Sequence, residues 1–525
     1  MPFWKKPKEQ VKTQTTSDES TKLVRSLEEN LETIMNVFKN DLDFSYRKFQ
    51  LNQGQLVSAI YINSLVDTEI INRDIIRPLQ NTDLMASVGN EVQWLLDHVL
   101  YSSEGEIAED METIVDALLH GKTVLLVDGE GHSLVINTFK AEKRSIQQPE
   151  TERVVRGARD GLIEQLSTNV SLLRYRLPVP ELRVEPMKIG KNTKTQVAIC
   201  YLENIASDDL VKETKNRLKR INIDRILDAG YIEQFIQDNP RSPFPQVQNT
   251  ERPDKVVGNI LEGRVVILVN GSPFALIVPA VFNQFYQTSE DYNERWLITT
   301  IIRVIRFMAL VFSLTFSSLY ITILSFHPEM IPAKFVVAAS SGRSGVPFPV
   351  VVEVVLMEIA MEILREATVR MPQQVGGALS IVGVLVIGQA AVLAGFVSPI
   401  TVVIIAMSTI GSFATPSYNA ATAFRMLRFP LIILAGTFGL LGLAAGIIFI
   451  LNHMLSLRSF GVPYMAPVAP LNLQGVKDSF IRAPLRWLTE RPAQLHPQDV
   501  NRINMGDVKG NTSNANKGGN SNEER

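Results

Sequence analysis

PQQVGGALSIVGVLVIGQAAVLAGFVSPITVVIIAMSTIGSFATPSYNAATAF, residues 372–424, contains no Asp, Glu, Lys or Arg. A run of about 20 apolar residues is enough to cross the hydrocarbon core of a bilayer as a helix. This stretch is more than twice that long and is interrupted by Ser398-Pro399, so it reads as two membrane spans joined by a tight turn. Core helices of soluble proteins, ~10–14 residues long, rarely abut without a charged face between them.

Upstream, Phe307 to Pro328 is also free of Asp, Glu, Lys and Arg, with Tyr292 and Trp296 before it and Arg295, Arg303 and Arg306 at its start. Amphipathic rings and cations at one end of an apolar run suit a cytoplasmic interface. Spans are therefore expected at about 300–325, 378–396, 399–415 and 429–455. In the last, Gly439, Gly442 and Gly446 supply small residues for close helix packing. Between the first and second spans lies PFPVVVEVVLMEIAMEILREATVR, which carries Glu353, Glu358, Glu362 and Glu366 among aliphatic residues. Steps of four put Glu358, Glu362 and Glu366 on one helix face, and Arg365 and Arg370 stand within ion-pairing reach of neighbouring acids. A carboxylate ridge facing lipid is too costly, so it should face protein or water. Two placements stay open for the helix at 348–366: lying at the interface, or entering the membrane beside an ion path. An even number of crossings with both ends cytoplasmic favours four full spans and an acidic helix that enters only partly. The tail after Leu457, with Arg458, Lys477, Arg482, Arg486 and Arg491, is cytoplasmic by the positive-inside rule.

The charged front half is expected to be α/β. Helical spacing links Leu27, Leu31, Ile34, Val37 and Phe38 within residues 23–52, and recurs over 70–79, 92–100 and 107–119. Two hairpins are expected, GKTVLLVDGEGHSLVINT at 121–138 and GRVVILVNGSPFALIV at 263–278, turning at Asp128-Gly129 and Asn270-Gly271. Leu119, Gly121, Val124, Val127 and Gly129 match Leu261, Gly263, Val266, Val269 and Gly271 at a constant offset of 142 residues. This points to two related modules, with two independent hairpins as the alternative. Segment 150–169, with Arg153, Arg156 and Arg159, reads as a charged helix start or an interaction surface. Residues 239–259, with four prolines, read as a surface loop between modules.

The fold class is thus a soluble α/β N-terminal region of two related modules plus a polytopic α-helical membrane domain. Its parts are a disordered lead-in (1–20), first module (21–145), second module (146–290), helical membrane domain (291–457), basic tail (458–495) and disordered end (496–525).

Several functions are disfavoured by composition. The net charge of −2 offers no electrostatic footprint for nucleic acid. One cysteine, Cys200, and six scattered histidines supply neither a disulfide nor a metal-ligand cluster. Gly121-Lys122-Thr123 lacks the glycine five residues earlier that a phosphate loop needs, position 116 being Asp. Asp128, Glu130 and His132 read as solvated turn residues. No catalytic, cofactor-binding or metal residue is assigned, no cofactor is expected, and the chain is not read as an enzyme. The opening residues lack the apolar core of a signal peptide.

A series of short motifs adds a resemblance. Glu152-Arg-Val-Val-Arg156-Gly157 with Gly161, Gly271-Ser-Pro273-Phe274, Glu290-Asp291-Tyr292 before Arg295-Trp296, and Pro347-Phe348-Pro349 before Glu353 come first. Glu362-Ile-Leu-Arg365-Glu366-Ala367, Arg370-Met-Pro372, Ile381-Val-Gly383, Gly388-Gln389, Ser398-Pro399 and Ser459-Phe460-Gly461-Val-Pro463-Tyr464 follow. In order and spacing these resemble the A subunit of GerA-family spore germinant receptors. The resemblance implies a multi-pass protein of the spore inner membrane that works with a transporter-like B subunit and a lipoprotein C subunit. It implies a homo-oligomeric, nutrient-gated cation channel that triggers germination. A stage V sporulation AF-type paralogue assisting dipicolinate release, and a passive scaffold for the other subunits, are the alternatives. Glu353, Glu358 and Glu362 are the ion-path candidates because rings of carboxylates select cations, with Arg365 and Glu366 as ion-pairing residues.

Overall fold

The computed structural model describes residues 22–39, 41–51, 54–81, 91–99, 105–140, 148–370 and 388–503. The expected lead-in, most of the 378–396 span, Pro372, the Ile381–Gly383 motif and the end beyond 503 lie outside them. The chain divides into two compact units, Met1–Arg144 with Val170–Glu185, and Ser145–Asn169 with Pro186–Arg525.

The α/β expectation and its duplication are borne out. The first sheet contains β1 (Phe44–Gln50), β2 (Leu56–Ile62), β3 (Gly105–Ala108), β4 (Lys122–Val127) and β5 (Ser133–Asn137), in the order β1-β2-β4-β5-β3. The second contains β6 (Leu182–Ile189), β7 (Thr195–Leu202), β8 (Gln248–Thr250), β9 (Val265–Val269) and β10 (Ala275–Val278), in the order β6-β7-β9-β10-β8. Strand for strand the two orders are the same. Both expected hairpins form, β4 with β5 and β9 with β10, all antiparallel. Gly129 and Gly271, second in their turns, adopt φ +90, where a β-carbon would be strained. In the first unit, apolar side chains pack on both faces of the sheet. Leu125, Val127, Leu134 and Ile136 face one layer, while Val124, Leu126 and Val135 face the helices α1 (Leu27–Val37) and α2 (Met111–Leu119). Burial on both sides explains why these strands are continuous hydrophobic runs.

Three local expectations need correction. Helical spacing ends at Val37, and 44–50 is a strand. The charged segment 150–165 has no helix; the helix begins at Leu166. Residues 239–259 are not a surface loop: Phe244, Gln246, Val247 and Gln248 are buried, and Pro253 starts a helix, α5 (Pro253–Leu261). Proline suits the first helical turn, where its missing N–H costs nothing.

The helical part contains α6 (Trp296–Phe326), α7 (Ala333–Arg343), α8 (Val350–Val369), α9 (Pro399–Phe413) and α10 (Tyr418–Ser456). Two of them, α6 and α10, are long and apolar enough to cross a membrane. By itself α9 is short, about 22 Å at 1.5 Å per residue. Where the sequence suggested one span at 429–455, α10 is instead two limbs. Gly439 adopts φ 60 and ψ −136, outside the helical region. The chain doubles back there. Gly446 lies against Leu431, an added β-carbon coming to 2.4 Å of its Cδ2, and Phe244 meets both Phe424 and His453, at 5.2 and 6.0 Å. The limbs, 418–438 and 440–456, are roughly 30 and 25 Å long.

Candidate functional site

The acidic helix α8 is held by contacts at successive levels. Glu353, fully buried, lies 3.0 Å from Arg343 Nη2 at the end of α7. Its other oxygen accepts from the Ser398 N–H at 3.0 Å and from Thr401 Oγ1 at 3.0 Å. Ser398 is the N-cap of α9 and also accepts from the Thr401 N–H. The carboxylate thus sits where a helix presents free N–H groups and the positive end of its dipole. Glu358, also buried, accepts from Arg428 Nη1 of α10 at 2.7 Å and from Ser317 Oγ of α6 at 2.9 Å. Glu362 keeps about a third of its side chain exposed, 3.4 Å from Arg365 and 3.6 Å from Arg425. Glu366 pairs with Arg370 at the exposed end.

Arg365 pairs with Glu362 three residues away, and Glu366 with Arg370 four residues away. Arg365 also donates to Ser412 Oγ at 3.2 Å, and its guanidinium stands over the Phe413 ring at 4.9 Å. Of the packing glycines, Gly442 and Gly446 sit against the facing limb of α10. An added β-carbon at Gly442 would lie 2.0 Å from the Leu434 carbonyl oxygen. Gly439 makes the turn itself, with the Phe326 ring beside it. Sequence reasoning missed Arg425 and Arg428. Their signal was position: they are the first charges after the charge-free stretch, three residues apart on one helix face.

These contacts fix helix directions. Glu353 meets Ser398 and Arg365 meets Ser412, so α8 and α9 run parallel. Tyr320 meets Thr401 and Ser408 donates to the Ser313 carbonyl, so α6 runs antiparallel to α9.

A second charged cluster lies where α6 begins. Arg303 donates to Asp291 at 2.9 Å, Arg306 to the same carboxylate at 2.9 Å, and Arg303 also reaches Asp478 at 3.0 Å. The Tyr292 hydroxyl donates to Asp478 at 2.8 Å. Burial pushes the Tyr292 phenol and the Asp478 carboxyl above their ordinary ranges. The cluster ties the end of the second module, α6 and the C-terminal segment together. Among the described residues no group of three or more His, Cys, Asp or Glu side chains is placed to hold a metal.

Duplicated α/β modules followed by an apolar helical bundle, with an acidic helix neutralised by arginines from its neighbours, define a two-part architecture with a polar centre inside its helical half. The chain belongs to the family described as Bacillus/Clostridium GerA spore germination protein, whose sequence pattern matches residues 32–494. It is 43% identical over 477 residues to spore germination protein KA of Bacillus subtilis (strain 168), covering 90% of this chain and 87% of that one. It is 38% identical over 478 residues to spore germination protein GerLA of Bacillus cereus, covering 90% and 97%. Among solved structures, the N-terminal domain of the A subunit of the Bacillus megaterium spore germinant receptor GerK3 is 33% identical. That match covers 50% of this chain and 99% of that one, with a TM-score of 0.40. The family resemblance read from the motifs is borne out.

Proposed function

We propose that this chain is the A subunit of a nutrient germinant receptor in the spore inner membrane, and that copies of it assemble around a cation path that opens at the start of germination. A transporter-like B subunit and a lipoprotein C subunit are its proposed partners. Apolar side chains exposed along α6 and α10, among them Ile301, Ile305, Met308, Leu441, Ile448 and Phe449, support burial of these helices in lipid. The parallel run of α8 and α9 supports a full crossing by the acidic helix. The apolar sequence 378–396 is the proposed crossing between them. With the two limbs of α10 this gives six crossings, leaving the modules and the basic tail on one side.

The observation that carries the reading is the state of the carboxylates. Glu353 and Glu358 are locked to Arg343 and Arg428, while Glu362 keeps an exposed edge. In a closed channel, carboxylates paired with cations present little negative field. Movement of α8 against α9 and α10 would free them to form rings that attract cations and reject anions. Asp291, Arg303 and Asp478 provide the rigid link through which the soluble module moves α6. Replacing Glu353, Glu358 and Glu362 each by Gln and measuring cation release from spores tests this. Altered release is expected, and unchanged release in all three would discard it.

A further inference from the structure

Between α5, the segment leading into α6 and the C-terminal segment, all within the second unit, lies a cavity of about 530 Å³. That is within the size range of small-molecule sites. Its walls are polar and unevenly charged. Glu262 stands between two guanidiniums, accepting from Arg264 Nη1 and, at 2.8 Å, from Arg502 Nη2. Burial pushes the Glu262 carboxyl up, but the two arginines outweigh it and hold the group below its ordinary range. The remaining charges around the cavity are matched one to one: Asp254 with Arg252 at 2.7 Å, Lys255 with Glu152 at 2.6 Å, and Arg491 with Asp499 at 2.8 Å. Two cations sharing one carboxylate leave a surplus positive charge on the wall.

Two buried polar atoms of the lining have no hydrogen-bond partner among the described residues: Arg264 Nε, a donor, and Gln248 Oε1, an acceptor. Their residues are 3% and 2% exposed. The Gln248 amide is oriented by its Nε2, which donates to the Gln284 carbonyl at 3.2 Å. Neither atom has surface open to the cavity, so the pull on a ligand comes from the surplus charge of the wall. The first module offers a comparison. Arg264 corresponds to Lys122 in the repeat, and Lys122 is a partly exposed strand-edge charge paired with Glu106 at 3.2 Å. The buried, doubly cationic version belongs to the second module.

We propose that this cavity binds a small organic carboxylate. The carboxylate balances the surplus positive charge that Arg264 and Arg502 leave on the wall. This site is separate from the proposed ion path.

The test is calorimetric titration of the full-length chain in detergent with D-glycerate and D-gluconate, using glycerol and D-glucose as neutral counterparts. At least one acid should bind saturably while its neutral counterpart does not. Arg502→Gln, at a partly exposed position, removes the surplus charge and should weaken the acid at least about tenfold. An unchanged melting curve for Arg502→Gln separates lost binding from lost folding. No binding of either acid at about 10 mM, equal binding of the neutral counterpart, or full affinity in a folded Arg502→Gln protein would each overturn the proposal.

Discussion

Arg428 donates to Glu358 at 2.7 Å from 70 residues further along the chain, and neither side chain exposes more than 5% of its surface. Removing one partner of such a pair strands a charge in a low-dielectric interior, at about 3–5 kcal/mol, whereas removing both is often nearly neutral. Thermal denaturation of the detergent-solubilised protein should therefore show Glu358→Gln and Arg428→Met each strongly destabilised. The double variant should recover most of the loss. Additive losses would mean that the two residues act independently.

The turn at Gly439 reverses α10 and brings its ends to the same side. Tyr418, Phe438 and Ser456 are all exposed, and the native Cys200 is buried, so single cysteines at the three positions report cleanly. In oriented vesicles, Tyr418→Cys and Ser456→Cys should react with an impermeant thiol reagent from one side and Phe438→Cys from the other. A single uninterrupted span would put 418 and 456 on opposite sides. Gly439→Ala should lower the yield of folded protein. A side chain is strained at φ 60 and ψ −136, at a cost of order 1–3 kcal/mol, and its β-carbon would meet the Phe326 ring at 2.9 Å.

Glu233, on α4 (Ala229–Ile236), has its carboxyl pushed up from its ordinary value of 4.5 to about 7 by burial, with the charge of Asp228 adding to the shift. A native state that holds a proton more tightly than the unfolded chain loses stability as pH rises between those two values. Glu233→Gln should thus change little near pH 4.5 and stabilise the protein at pH 8. The full shift corresponds to about 3 kcal/mol at 1.36 per unit. Partial solvent screening of this half-buried group reduces the expectation to about 1 kcal/mol. Unfolding curves at the two pH values decide it; an equal effect at both would show that the Glu233 proton is not linked to folding.

Asn30 and Asn169 hold the same local loop in the two modules. Asn30 accepts from the Val24 N–H and donates to the Val24 carbonyl, and Asn169 does both with Ile163. Leu27 and Leu166, at the starts of the two helices, likewise donate to Asp128 and Asn270 in the hairpin turns. Replacing either Asn by Ala leaves two backbone groups unpaired and should cost about 2–3 kcal/mol, measured by denaturant unfolding. A loss under about 0.5 kcal/mol at both positions would deny the shared motif its structural role.

Those two asparagines show how far the sequence could be read. The hairpins announced the duplication, because continuous β-branched runs and a left-handed glycine survive as a recognisable pattern. The Leu-x-x-Asn motif lies 139 rather than 142 residues apart, so a search at the hairpin offset passes over it. Glu353, Glu358 and Glu362 stood out because carboxylates among aliphatics are costly. Their partners Arg343, Arg425 and Arg428 did not, since pairing between helices leaves no local spacing. Gly439, Gly442 and Gly446 all suggested helix packing, and nothing in their spacing distinguished the one that turns the chain. Prolines near 240–253 marked a helix start and a buried strand, roles that composition alone reads as loop.

In the proposed channel the carboxylates of α8 set the ion preference, and Glu362 tests this with little risk to folding because its side chain is about a third exposed. The decisive measurement is the reversal potential of the reconstituted receptor complex in a salt gradient, for the native chain and for Glu362→Lys. Cation selectivity in the native complex that weakens or inverts in Glu362→Lys is the predicted result. A complex that conducts nothing when activated, or whose selectivity is indifferent to Glu362→Lys, would contradict the account.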